Sequence, residues 1–117
     1  MTAPAIGRVA LLVVTLTLLT LALLPSPPSD GLGWDKANHA VAMAIVTMVG
    51  CQAFRPSSRA VAFGAAYALA LGVLIELLQG SLTSSRSAEW GDLLADLVGI
   101  VVAAIGLGCW QRRRDQQ

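Results

Sequence analysis

The sequence predicts an all-α protein, a four-helix transmembrane bundle with the N and C termini in the cytoplasm. Three observations lead to this prediction: the composition, four apolar runs of spanning length, and an uneven distribution of Lys and Arg. Hydrophobic residues make up 56% of the 117 residues and charged residues only 13%. A soluble globular surface usually needs about a quarter charged residues, so we expect the apolar excess to face the membrane bilayer.

The four apolar runs each approach the roughly 20 residues that a helix needs to cross a bilayer. They predict helices over about residues 5–24, 35–54, 60–82 and 91–110. Trp34, Trp90 and Trp110 fall at run ends, where an indole ring favours the membrane interface. The first run also resembles a cleaved signal peptide, but its length and the lack of a small-residue cleavage pattern favour a membrane anchor. The sequence has no internal repeat and no change in composition that would indicate a second domain. Residues 1–117 are therefore predicted to form one domain.

The orientation is predicted from the basic residues, because cytoplasmic segments of membrane proteins retain Lys and Arg. One side of the predicted bundle collects Arg8, Arg55, Arg59, Arg112, Arg113 and Arg114. The other side has only Lys36 and Arg86. The first side is therefore predicted to be cytoplasmic. The net charge of +1 offers no broad basic face for phosphates, which argues against a nucleic-acid partner.

Several ionisable residues lie inside the predicted spans near their outer ends. Such residues cost roughly 2.5 to 3.5 kcal/mol each at the membrane centre on insertion scales, and they usually face the bundle interior. At 1.5 Å per residue, Glu76 lies roughly 24 Å from a helix start at Ala60, in the outer quarter of an approximately 30 Å core. His39 and Asp96 lie within about two turns of the outer ends of their own helices. These three residues are therefore predicted to share one level.

The second, third and fourth predicted helices each carry polar residues three or four positions apart, so that each set occupies one helix face. A carboxylate that faced lipid would be neutralised or would draw in water. We therefore expect the three faces to meet, with Arg86 of the outer loop capping them. The predicted ligand-binding residues are Asp35, Lys36, His39, Glu76, Gln79, Arg86, Asp92 and Asp96.

Small residues recur at helical spacing and predict close helix packing. On the third predicted helix these are Gly64 and Gly72, and on the fourth they are Gly99 and Gly106.

An ordered pattern runs through residues 34–99: Asp35-Lys36-x-x-His39, Glu76-x-x-Gln79, Arg86-Ser87 and Asp92-x-x-x-Asp96-x-x-Gly99. This pattern resembles that of the VanZ-like family of bacterial membrane proteins. The resemblance implies a multi-pass protein of the bacterial inner membrane and cell envelope. The founding member of that family is associated with low-level resistance to the glycopeptide teicoplanin. This sequence departs from the family in having Ala40 where an aromatic residue is common and Asp96 where Asn is common, and only the Asp can carry a charge.

Three functions are compatible with the pattern. The first is binding of a polar or phosphate-bearing membrane lipid or a lipid-linked cell-wall precursor, with Lys36 and Arg86 contacting phosphate. The second is an enzyme that modifies an envelope lipid, with His39 and Glu76 as an acid/base pair. The third is a purely structural ion network, although buried ionic groups often contribute little net stability.

The sequence favours neither a cofactor nor a metal. His39 with Asp35, Glu76 and Asp92 offers hard ligands, but the chain has a single His and both cysteines lie toward the Arg-rich side. Ion transport is disfavoured as well, because the inner halves of the predicted helices lack titratable groups for a relay. The sequence does not determine an oligomeric state.

Overall fold

The computed structural model describes residues 1–24, 32–82 and 90–117, except for the side chains of residues 32–35 and 82. The described residues form four α-helices and no strand, which confirms the all-α prediction. The helices are α1 (Ala3–Leu23), α2 (Leu32–Ala53), α3 (Ala60–Leu82) and α4 (Trp90–Asp115). Within the described ranges, α1, α3 and α4 are long and apolar enough to cross a membrane. The chain therefore has the character of a multi-pass membrane protein.

Helix α2 is 22 residues long, but its described residues are not apolar enough for it to count as a candidate membrane span. Lys36, Asn38 and His39 lie in its first turns and lower its hydropathy. The packing explains why α2 tolerates them, because α2 contacts each of the other three helices. A helix surrounded by protein does not need an apolar surface on every side.

The helices run in alternating directions. Arg8 Nε donates a hydrogen bond to the Ala53 carbonyl, which places the start of α1 beside the end of α2. Lys36 Nζ lies 3.2 Å from Asp92 Oδ1, which places the starts of α2 and α4 together. Helix α3 returns along α2 after the turn at residues 54–59. We call the end that holds Lys36 and Asp92 the polar end and the opposite end, near Arg8, the arginine end.

Helices α2 and α3 form a central pair, with α1 packed against one part of it and α4 against another. In the described ranges α1 and α4 make no contact with each other. The buried apolar side chains include Leu11, Met43, Val46, Ala68, Leu71, Ile75 and Ile100. Large apolar side chains also cover the outer surface, as expected for a bundle whose solvent is lipid.

Glycines set the close contacts between helices. A Cβ atom at Gly50 would lie 2.9 Å from Gly64 Cα, so the backbones of α2 and α3 meet there. A Cβ atom at Gly99 would overlap the Ala40 carbonyl, so α4 and α2 meet just as closely. Among the described residues, a Cβ atom at Gly106 would have no neighbour within 4 Å. The predicted packing role of Gly106 is therefore wrong, because this residue lies on the open side of α4.

Helix α4 continues beyond the predicted end at residue 110 to Asp115. The Arg114 guanidinium lies 4.8 Å from the centre of the Trp110 ring, and the Arg55 guanidinium lies 5.7 Å from it. Basic side chains in the last turn also interact favourably with the helix dipole. The Arg-rich tail is therefore helical because its charges stabilise the final turn and stack on Trp110.

Candidate functional site

Five ionisable side chains from three helices meet at the polar end, and we call them the polar cluster: Lys36, His39, Glu76, Asp92 and Asp96. Lys36 and His39 come from the first turns of α2, Glu76 from the last two turns of α3, and the two aspartates from the first turns of α4. The carboxylate residues Glu76, Asp92 and Asp96 are 7%, 6% and 1% exposed. Buried carboxylates at this depth need compensating partners.

The imidazole of His39 lies between two carboxylates of α4. Its Nδ1 atom is 3.2 Å from Asp96 Oδ1, and its Nε2 atom is 3.7 Å from Asp92 Oδ2. Asp92 and Asp96 are one helical turn apart, so both carboxylates reach the same ring. His39 therefore connects α2 to α4 through both ring nitrogens.

Lys36 forms the rim of the polar cluster. Its side chain is 42% exposed, whereas that of Asp92 is only 8% exposed. The lysine side chain crosses Gly91, where a Cβ atom would lie 2.7 Å from Nζ. The absence of a side chain at Gly91 thus allows the ammonium to reach Asp92 while the lysine side chain remains partly exposed.

The carboxylate of Asp96 extends from α4 to the surface of α3. A Cβ atom at Gly72 would lie 2.7 Å from Asp96 Oδ2. Gly72 and Glu76 are one turn apart on α3, so Asp96 contacts the α3 face that carries Glu76. One potential ligand atom from each of His39, Glu76 and Asp96 lies within 4.8 Å of the other two. This proximity agrees with the expectation that the polar faces of the second, third and fourth helices meet.

Gln79 is buried at the polar end but holds α1 in place. Its Nε2 atom donates a hydrogen bond of 3.2 Å to the carbonyl of Ala22, in the last turn of α1. The amide therefore connects α3 to α1 and also lines the cavity described next.

Two concave spaces adjoin the polar cluster. The polar cavity, of about 230 Å³, lies between α1, α2 and α3, and His39 and Asp96 reach it from one side. Leu18, Ala22, Asn38 and Gln79 are among its other lining residues. The lateral groove, of about 440 Å³, lies between α3 and α4. Its lining includes Val73, Glu76, Leu77, Ser81, Trp90 and Leu93.

Two of the predicted ligand-binding residues lie outside the described part of the structure: the side chain of Asp35 and all of Arg86. Conversely, the sequence-based prediction missed Asn38, which lines the polar cavity. A polar residue directly before His39 in an apolar run was an available signal. It was missed because the prediction weighed only ionisable groups and residues spaced by three or four.

Comparison of the chain with protein-family models, with curated proteins and with solved structures finds no match. The resemblance to the VanZ-like family therefore depends on the sequence pattern in residues 34–99.

Proposed function

We propose that this chain is an integral protein of the bacterial inner membrane and cell envelope that resembles VanZ-like proteins. All four helices span the membrane, with both termini and the arginine end in the cytoplasm and the polar end outside. At the polar end the protein binds a phosphate-bearing membrane lipid or a lipid-linked cell-wall precursor. A link to teicoplanin resistance follows from the resemblance alone.

The observation that supports binding most is the position of Lys36. Its side chain is partly exposed and passes over Gly91. Gly91 directly follows Trp90, which lines the lateral groove. An ammonium is a compact cation that contacts phosphate oxygens well. Asp92 fixes the position of the lysine head, so that the cation is held in place before a ligand arrives.

The lateral groove supports a lipid as the ligand. Val73, Leu77 and Leu93 give it an apolar wall between α3 and α4, whereas Glu76 and Ser81 give it polar atoms. Leu77 is 63% exposed, so the groove opens sideways from the bundle. An acyl or prenyl chain fits such a wall while the phosphate remains near Lys36.

A purely structural network is less well supported, because ion pairs that only hold helices together do not need an exposed cation.

A second candidate function, an enzyme that modifies an envelope lipid, is favoured by one observation. A ring nitrogen of His39 lies within 4.8 Å of a carboxylate oxygen of Glu76. His39 also borders the polar cavity, so a general acid or base would be accessible there.

Native mass spectrometry of the detergent-solubilised protein tests the proposal, with wild type compared with Lys36→Ala. Arg112→Ala is the matched control, because it removes a basic side chain at the opposite end. We expect wild type and the control to retain phospholipid or undecaprenyl-phosphate lipid, and Lys36→Ala to lose it. Equal retention by wild type and both variants, or no retained lipid in wild type, would contradict binding at the polar end. Turnover of an added lipid would favour the enzyme.

A further inference from the structure

We infer that His39, Glu76 and Asp96 form a binding site for one divalent transition-metal ion, of the Zn²⁺ or Mn²⁺ class. The sequence favoured no metal because a single His without a nearby Cys is a weak signal. The structure adds the information that was missing, since the three residues come from α2, α3 and α4 and their ligand atoms converge. The inference does not depend on the lipid proposal.

The distances fit ligands of one ion. Bonds from such an ion to imidazole nitrogen or carboxylate oxygen are about 2.0 to 2.2 Å long, so neighbouring ligand atoms lie roughly 3.0 to 3.5 Å apart. His39 Nδ1 and Asp96 Oδ1 are 3.2 Å apart. The Glu76 oxygen lies within 4.8 Å of both residues. A small change in the Glu76 side-chain torsions would bring its oxygen closer to the other two ligand atoms.

The surroundings of His39 match those of a metal-binding imidazole. Such a ring usually donates its second N–H to a carboxylate, which fixes the tautomer and the orientation. Here Nε2 faces Asp92 Oδ2 at 3.7 Å, an ion-pair distance longer than a hydrogen bond, and Lys36 holds the other oxygen of that carboxylate at 3.2 Å. Asp92 therefore faces one ring nitrogen while Nδ1 points toward Asp96.

The formal charges also favour a divalent ion. With a neutral imidazole, Lys36 contributes one positive charge, and Glu76, Asp92 and Asp96 contribute three negative charges. The sum over these described side chains is −2, a negative charge that a divalent cation bound among them would reduce. Because the three carboxylates are nearly buried, neutralisation removes a large desolvation cost.

The donor set indicates the class of metal. One imidazole nitrogen and two carboxylate oxygens suit Zn²⁺ or Mn²⁺, whereas the thiolate ligands preferred by Cu⁺ and iron–sulfur clusters do not occur in the polar cluster. Three protein ligands leave at least one coordination position of the ion open for another ligand. Catalytic metal sites have such an open position, whereas structural sites do not. The polar cavity adjoins His39 and Asp96, so that position is accessible to water or to an anionic oxygen.

Zn²⁺ binding by the full chain tests the inference. The tag-free, detergent-solubilised protein is dialysed against a chelator, then titrated with Zn²⁺ and analysed for bound metal. We expect one ion per chain in wild type and at least about tenfold weaker binding in His39→Ala, Glu76→Gln and Asp96→Asn. Asp92→Asn should weaken binding about ten- to hundredfold through the orientation of the ring. Asp115→Asn, an exposed carboxylate at the arginine end, is the control and should bind as wild type does.

A second readout needs no substitution. The chain contains 1 His, so a protein labelled with ¹⁵N-histidine reports His39 alone, and Zn²⁺ should shift the Nδ1 signal. No saturable ion in wild type, or a bound ion that leaves the His39 signals unchanged, would overturn the inference. An unchanged affinity for Zn²⁺ in Asp96→Asn and Glu76→Gln would also overturn the inference. Because the titration uses lipid-free detergent, its failure would not affect the lipid-retention result.

Discussion

His39 Nδ1 lies 3.2 Å from Asp96 Oδ1, and this contact joins the first turns of α2 to those of α4. It is possible because the two backbones touch beside it, at Ala40, the next residue of α2, and at Gly99, three residues further along α4. The site is therefore a product of helix packing, since the same glycine that brings α4 onto α2 brings the carboxylate to the imidazole. Helix packing and site chemistry should respond to the same substitutions.

The first prediction concerns that glycine. Gly99→Ala places a methyl group against the Ala40 carbonyl, so α4 must move away from α2. We expect a loss of about 1 to 3 kcal/mol in the free energy of unfolding, as for other overpacked sites. Gly106→Ala is the control, because its methyl group meets open space. Unfolding in mixed detergent micelles measures the free energy of unfolding of both variants. An equal loss in the two would contradict the close contact between Gly99 and Ala40.

The second prediction separates the hydrogen bond of Asp96 from its charge. Asp96→Ala removes a buried partner of His39 and should destabilise the protein by about 1 to 3 kcal/mol. Asp96→Asn keeps an oxygen in the same place and should cost distinctly less. The measurement is unfolding in the presence of a chelator, so that bound metal does not contribute. An Asn variant as unstable as the Ala variant would show that the oxygen at this position does not stabilise His39.

The third prediction concerns the docking of α1. Thr15 Oγ1 and Tyr67 Oη are 2.7 Å apart and connect α1 to α3. Tyr67→Phe should reduce the unfolding free energy by about 0.5 to 1.5 kcal/mol, in the range of single hydrogen bonds in membrane proteins. Thr17→Val is the comparison, since Thr17 is exposed and donates only to its own helix, at Val13. If both substitutions have the same effect, the Thr15–Tyr67 bond does not hold α1.

The fourth prediction concerns orientation. The arginine end should lie in the cytoplasm, because basic segments are retained there. A green fluorescent protein fused after residue 117 should fluoresce, whereas alkaline phosphatase at the same position should be inactive. Active phosphatase at the C terminus would place the polar cluster on the cytoplasmic side and remove the basis for an outward-facing site.

The sequence was sufficient to predict helices and their approximate ends, because apolar runs of spanning length are a strong and local signal. It was less informative about α2. Lys36, Asn38 and His39 keep this helix from being apolar enough to count as a candidate membrane span, and only the packing shows that α2 contacts all the others. Hydropathy treats every helix as if lipid surrounded it, so it undervalues a central helix.

The candidate site was predictable in its composition but not in its pairings. Spacing placed His39, Glu76 and Asp96 at one level, yet it could not show that His39 lies between Asp92 and Asp96. That arrangement depends on a rotation of α4 about its axis, which Gly99 and Gly72 determine through contacts with other helices. Gln79 illustrates the same limit, because its amide is bound to the α1 backbone and spacing on α3 contains no information about α1.

Both proposals depend on polar side chains of different helices meeting at the polar end, and cross-linking in membranes tests this most directly. His39→Cys is combined with Glu76→Cys in a Cys51→Ala, Cys109→Ala background, with a protease site inserted in the turn at residues 54–59.

A short bifunctional thiol reagent should keep the two fragments of the His39→Cys/Glu76→Cys protein joined after cleavage. The pair His39→Cys/Leu77→Cys, whose second position is exposed on the outside of α3, should separate. If the fragments of the first pair separate while those of the second stay joined, Glu76 faces lipid and the polar cluster does not exist.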